Sequence, residues 1–180
     1  MREQDLLRFP RTEVALRDGR KVAIRALAPD DAEALADFYE SIPEEDHRFY
    51  CPHALTREKA AAKAAEALSP CFISMLAETQ DRQIAGYAWF RWQDENSRSS
   101  TLGVCIRRDS QGMGAGTALL SRLLEIAQTV GPPVMSLTVQ KANSRGVGLY
   151  RKMGLRVVRE QLRKGDSEPE YYMERKVRPL

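Results

Sequence analysis

Residues 100–130 read STLGVCIRRDSQGMGAGTALLSRLLEIAQTV: a short apolar run, a polar corner, glycines at 112, 114 and 116, and a long periodic segment. In that segment Leu119, Leu120, Leu123, Leu124, Ala127 and Val130 recur at helical spacing, opposed by Arg122, Glu125 and Gln128. This predicts a helix over 115–130 with one buried face. Glycines between a strand end and a helix start let the backbone pass close to a ligand and turn its N–H groups inward. The helix N-terminus adds unpaired donors and a partial positive charge, worth roughly 0.3–1 kcal/mol toward an anion for the dipole alone. Such a corner suits a phosphate, and it equally suits a flexible turn.

Two well-known phosphate loops do not fit. A Walker loop needs Gly-Lys-Ser/Thr ahead of its helix, whereas Gly116 is followed by Thr117 and Ala118. A dinucleotide fold places its glycine loop after the first strand of a parallel unit, with an acid after the next strand. Here the loop follows several strands, and the next apolar run, VMSLTVQ (134–140), lacks the acid.

Working outward, CFISMLAE (71–78) and QIAGYAWFRWQ (83–93) read as antiparallel strands separated by Thr79, Gln80, Asp81 and Arg82. Alternation puts Ile84, Ala88, Phe90 and Trp92 on one face and Ala85, Tyr87 and Trp89 on the other, as expected for an interior strand. Upstream, EVALRDGRKVAIRAL (13–27) carries Asp18-Gly19, the signature of a two-residue hairpin turn. Pro29-Asp30-Asp31 starts a helix in which Leu35, Phe38 and Tyr39 share a face, and a second helix falls within 56–68. Downstream, Gly131-Pro132-Pro133 ends the long helix and VMSLTV forms a strand. Residues 143–153 form a helix closed by Gly154, and LRVVREQL and YYMERKV are the last strands. The expectation is one domain over 1–180 of α/β (α+β) class, built on one mixed sheet.

The 180 residues carry 28 Lys+Arg against 25 Asp+Glu, a formal charge of +3, too weak and dispersed to signal nucleic-acid binding. Cys51, Cys71 and Cys105 are odd in number and far apart, with only His47 and His53 as histidine partners, so neither a disulfide framework nor a zinc site is supported. The start, MREQDLLRFPRTE, has no apolar signal core, and no run is long enough to cross a bilayer. These features lead to the expectation of a reduced cytoplasmic protein without metal, membrane or nucleic-acid partner.

Gln111-x-x-Gly114-x-Gly116 resembles the Gln/Arg-x-x-Gly-x-Gly/Ala signature of the GNAT superfamily of N-acetyltransferases. In NSRGVGLYRKMGL (143–155), Asn143 and Tyr150 resemble that family's second signature helix, with Leu155 in place of the usual Phe. The resemblance spans residues 83–158 in the family's order of elements. It implies a mixed, mostly antiparallel sheet flanked by helices and splayed between the family's fourth and fifth strands, here residues 102–107 and 134–139. It also implies acetyl-CoA as cosubstrate and transfer of acetyl to an amine of a small molecule or protein, by direct attack in a ternary complex. Family members often form homodimers, and no segment here specifies an interface.

By position, the resemblance gives the backbone of Val104 and Ile106 to the pantetheine arm. It gives Gln111, Gly112, Met113, Gly114, Ala115 and Gly116 to the pyrophosphate, and Asn143 to a cofactor contact. Tyr150 becomes the acid that protonates the departing thiolate, which a direct attack on a thioester requires. The N–H of Ile106 is expected to stabilise the acyl oxygen.

Other readings of the same residues stay open. Tyr150 lies three residues from Val147 and Met153, the spacing of a core aromatic, and Asn143 is a good helix cap. Arg107, Arg108 and Arg145 are either solvated charges or phosphate contacts. Trp89 and Trp92 read as sheet packing, and Cys105 as core. Many lysine-acetylating members carry a glutamate base where this chain has Thr101, so Glu78, Asp94, Glu95, His47, Tyr50 and a water relay are the alternatives. DHRFY (46–50) resembles segments of bacterial relatives of the protein acetyltransferases. Thr101 also supports a second reading, an acyl-CoA-binding regulatory or interaction module that has lost catalysis.

Overall fold

A computed structural model describes residues 9–50, 53–162 and 168–179. Its strands are β1 (Thr12–Ala15), β2 (Lys21–Ala26), β3 (Phe72–Thr79), β4 (Ile84–Arg91), β5 (Ser99–Ile106), β6 (Val134–Gln140), β7 (Arg156–Leu162) and β8 (Pro169–Lys176). The helices are α1 (Ala32–Glu40), the single turn α2 (Glu44–His47), α3 (Arg57–Ala65), α4 (Ala115–Ala127) and α5 (Ser144–Lys152). One eight-stranded sheet runs β1-β2-β3-β4-β5-β6-β8-β7. Among the described residues only the β5–β6 pair is parallel.

The two faces carry separate cores. On one, the predicted stripe of α4 (Leu119, Leu120, Leu123, Leu124, Ala127) meets Ile73, Met75, Ala88 and Phe90, and α5 adds Val147 and Tyr150. On the other, Leu35, Phe38 and Tyr39 of α1 and Ala60 of α3 cover Leu76, Tyr87 and Trp89. The interior placement expected for β4 follows from helices on both sides. Helix α4 ends at Ala127, shorter than the predicted 115–130, and Val130 only packs half-buried on the core.

Two local expectations are corrected. Along β3–β4, Ala77 faces Gly86 but Glu78 faces Ile84, so Ala85 is an extra residue, a β-bulge. The bulge reverses both neighbours: Ile84 joins Tyr87 and Trp89, while Ala85 joins Ala88 and Phe90. The first hairpin turns through residues 17–19 rather than two. Leu16 N–H donates to Arg20 C=O at 2.7 Å, Gly19 N–H donates to Leu16 C=O at 3.0 Å, and Gly19 adopts φ 84°. This is the longer hairpin form with a left-handed glycine closing the loop.

Arg25 of β2 joins the start of α1 to the sheet. Its guanidinium donates to both oxygens of Asp31 at 2.7 Å and to Glu78 at 2.9 Å. The bond from Arg25 holds the Glu78 carboxyl below its ordinary range. A depressed folded pKa stabilises the fold above the unfolded value of about 4.3, and that contribution is lost as pH falls through the folded pKa. Glu78→Gln should therefore cost about 1–3 kcal/mol at neutral pH. Its melting temperature should fall less steeply than wild type on acidification; parallel melting curves down to pH 3 would refute this account.

Candidate active site

Strands β5 and β6 pair only at Ser99–Val134, Ser100–Met135 and Thr101–Ser136. The narrow end is pinned by Ser100 Oγ donating to Val134 C=O at 3.3 Å and Ser136 Oγ donating to Ser100 C=O at 3.0 Å. Beyond Thr101 the strands diverge, as the splay expectation requires. Arg107 N–H donates to Ala85 C=O at 2.9 Å, and alternation along an antiparallel pair then turns the N–H and C=O of Val104 and Ile106 away from β4, into the gap. A cleft of about 620 Å³ opens there.

Beside the gap the glycine corner is conformationally special. Gly112 has φ 76° and Gly114 φ 109°, and a Cβ at either position would meet nothing within 4 Å, so glycine serves backbone conformation rather than space. The first intrahelical bond of α4 runs from Ala118 N–H to Gly114 C=O at 3.0 Å, which leaves the N–H groups of Ala115, Gly116 and Thr117 without intrahelical partners. Among the described residues no side chain caps this end. The loop's carbonyls are held by the β1–β2 hairpin: Arg17 N–H donates to Met113 at 2.9 Å, Arg17 Nη1 to Gly112 at 3.2 Å, and Arg20 Nη2 to Asp109 at 2.8 Å. In a trans peptide the next N–H points opposite to the carbonyl, so the N–H groups of Met113 and Gly114 face away from the hairpin.

Gln111 clasps the corner to its neighbours. Its Nε2 donates to Ile106 C=O at 3.1 Å, and its Oε1 accepts from Arg145 Nη1 at 2.8 Å. On α5, Asn143 Oδ1 caps the helix by accepting from Gly146 N–H at 2.8 Å. A Cβ on residue 146 would lie 2.8–3.0 Å from that side chain, so a larger residue there would displace the Asn143 amide. Tyr150 lines the cleft, is 8% exposed, and its hydroxyl has no hydrogen-bond partner among the described residues. Burial raises its pKa above the ordinary phenol value.

Thus Val104, Ile106, Gln111, Gly112, Gly114, Gly116, Asn143 and Tyr150 line one cleft. Met113 and Ala115 do not: Met113 contributes backbone behind it, and Ala115 is fully buried. Of the three arginines, Arg145 lines the cleft, while Arg107 is bound to Asp109 and Gln83 and Arg108 to Asp46 and Glu45. Arg17 and Asp46 also line it, and sequence reasoning missed both; Asp46 opens the DHRFY segment, whereas nothing local marks Arg17.

The base candidates separate clearly. Thr101 sits at the pinned end, outside the cleft lining, and Asp94 and Glu95 lie in the exposed β4–β5 turn. Glu78 is committed to Arg25, and His47 Nε2 lies 3.0 Å from Ile42 C=O. Tyr50 alone among them lines the cleft; its hydroxyl accepts from Trp89 Nε1 at 3.1 Å, and burial raises its pKa. Trp92 stacks on Phe90 as packing. Cys105 also touches the cleft, but burial pushes its thiol up to about 12, which keeps it from serving as a thiolate nucleophile.

Among the described residues no group of three or more His, Cys, Asp or Glu is placed to hold a metal, and no helix is long and apolar enough to cross a membrane. Cys71 and Cys105 are free thiols, and Cys51 lies outside the described residues.

Residues 32–155 match the acetyltransferase (GNAT) family, and the chain belongs to it. An L-methionine sulfoximine/L-methionine sulfone acetyltransferase of Pseudomonas paraeruginosa is 29% identical over 86 residues, 46% of this chain and 50% of that protein. The chain spans about half the length of the curated relatives it matches. Among solved structures, the GNAT domain of S. lividans PAT superposes with a TM-score of 0.78 at 18% identity, over 92% of this chain and 96% of that one. YncA from Salmonella typhimurium, solved with its cofactor acetyl-CoA, gives 0.72 at 19% identity, over 88% and 95%.

Proposed function

We propose that this chain is an acetyl-CoA-dependent N-acetyltransferase acting on an amine of a small molecule or protein by direct attack in a ternary complex. The observation that carries this reading is the β5–β6 gap opening onto the unpartnered N–H groups of the glycine corner, with Tyr150 on the same cleft wall. When bound, acetyl-CoA supplies an activated acetyl thioester. The backbone N–H groups of the cleft-lining Gly112, Gly114 and Gly116 hold the pyrophosphate, with Gln111 fixing the corner. Val104 and Ile106 offer backbone partners to the pantetheine amides, and Asn143 stands beside them. The Ile106 N–H faces the gap, where an acyl oxygen gains negative charge. The amine nitrogen bonds to the acyl carbon as the carbon–sulfur bond breaks, and the Tyr150 hydroxyl gives its proton to the sulfur. The nitrogen's surplus proton leaves to a base or to water.

Calorimetric titration with acetyl-CoA tests the first half: no detectable binding ends the proposal. Thiol release across primary amines, amino acids, aminoglycosides and peptide N-termini tests the second. Binding without release on any acceptor would favour the non-catalytic acyl-CoA-binding module that Thr101 suggests.

A further inference from the structure

Six cationic side chains surround the glycine corner and its cleft: Arg17, Arg20, Arg107, Arg108, Arg145 and Lys152. They fall into two groups. Arg20 pairs with Asp18 at 2.7 Å and approaches Asp109 at 4.0 Å, Arg107 pairs with Asp109 at 2.9 Å, and Arg108 pairs with Asp46 at 2.8 Å and Glu45 at 2.9 Å. None of these three lines the cleft. Arg17, Arg145 and Lys152 do line it, and none has a carboxylate partner among the described residues.

Arg17 is the unexpected member. It sits in the loop of the β1–β2 hairpin, ahead of residues 32–155 that carry the family match. Its backbone N–H and one guanidinium nitrogen already reach the carbonyls of Met113 and Gly112, at 2.9 and 3.2 Å, which fixes the hairpin against the corner. A guanidinium carries five N–H donors in a fork suited to phosphate oxygens, and only one bond from this fork is made among the described residues. Arg17 therefore brings an uncompensated cation to the cleft that Gly116 and Thr117, whose N–H groups lack intrahelical partners, also line. Two such features together fit a doubly charged diphosphate better than either does alone.

We infer that Arg17 is a direct ligand of the donor's pyrophosphate, so the N-terminal hairpin forms one wall of the cofactor site. The inference rests on the acetyl-CoA reading above. Isothermal titration of coenzyme A and 3′-dephospho-coenzyme A into wild type and Arg17→Gln, at several salt concentrations, tests it. Arg17→Gln should bind both ligands about 10–100-fold more weakly, the range for a charged hydrogen bond. Because an ionic contact is screened by salt, the variant's affinity should also depend less on salt than wild type's. An unchanged affinity overturns the inference. So does a weakened affinity with an unchanged salt dependence, since that marks a purely structural role in holding the Gly112 carbonyl. Loss confined to coenzyme A would move the contact to the 3′-phosphate and overturn the pyrophosphate assignment. Wild type failing to bind either ligand would instead end the underlying acetyl-CoA reading.

Discussion

Tyr150→Phe is expected to lower acetyl transfer by about 10²–10⁴-fold, the usual worth of a positioned general acid, with little change in acetyl-CoA affinity. The substitution isolates one atom. Phenylalanine keeps the ring that packs with Val147 and Met153, and the deleted hydroxyl leaves no donor or acceptor stranded among the described residues. Melting temperature should therefore move little. Burial favours the neutral phenol, so the group stays protonated at neutral pH and remains able to donate at least to its ordinary value near 10. Alkaline loss of rate below that pH would have to come from another group. Steady-state thiol release with and without the substitution decides the matter, and unchanged turnover would remove Tyr150 from its proposed role.

Gly114→Glu is expected to abolish measurable cofactor binding. Residue 114 holds φ 109°, where a side chain costs on the order of 1–3 kcal/mol in backbone strain. A Cβ there would meet no protein atom within 4 Å, so the new side chain enters open space beside the loop's N–H groups. A carboxylate in that space competes for the same donors and repels an incoming phosphate. Gly114→Ala separates the two effects, because it imposes the strain without the charge. Calorimetry should show weakened binding for alanine and none for glutamate; equal affinities in both would mean that charge at this position is irrelevant.

Much of the local structure around the glycine corner was readable from the sequence, because its signals are local. The α4 leucines repeat every turn, Gly112 and Gly114 sit where the backbone needs positive φ, and Asn143 caps a helix that begins beside it. What escaped depends on register or on distant segments. The bulge at Ala85 leaves only Gly86 as a trace, and it exchanged the faces of Ile84 and Ala85. Arg17 lies about a hundred residues from the loop it supports, in a hairpin whose own pattern says only that it turns. The base candidates were chosen as chemically able side chains near strand ends; the three-dimensional arrangement sends Glu78 to Arg25 and leaves Thr101, Asp94 and Glu95 outside the cleft.

The brief β5–β6 pairing has a mechanical meaning. Hydrogen bonding across the sheet is continuous there through only three residue pairs, so β1–β5 and β6–β8 are two ribbons stitched at one end. On the proposed reading, an arm bearing amides of its own that enters the open end would supply the absent rungs, joining the ribbons along a ladder that neither completes alone. If the proposed carrier binds there, part of the cohesion of this sheet is lent by its guest, and release of the spent carrier loosens the seam until the next one closes it.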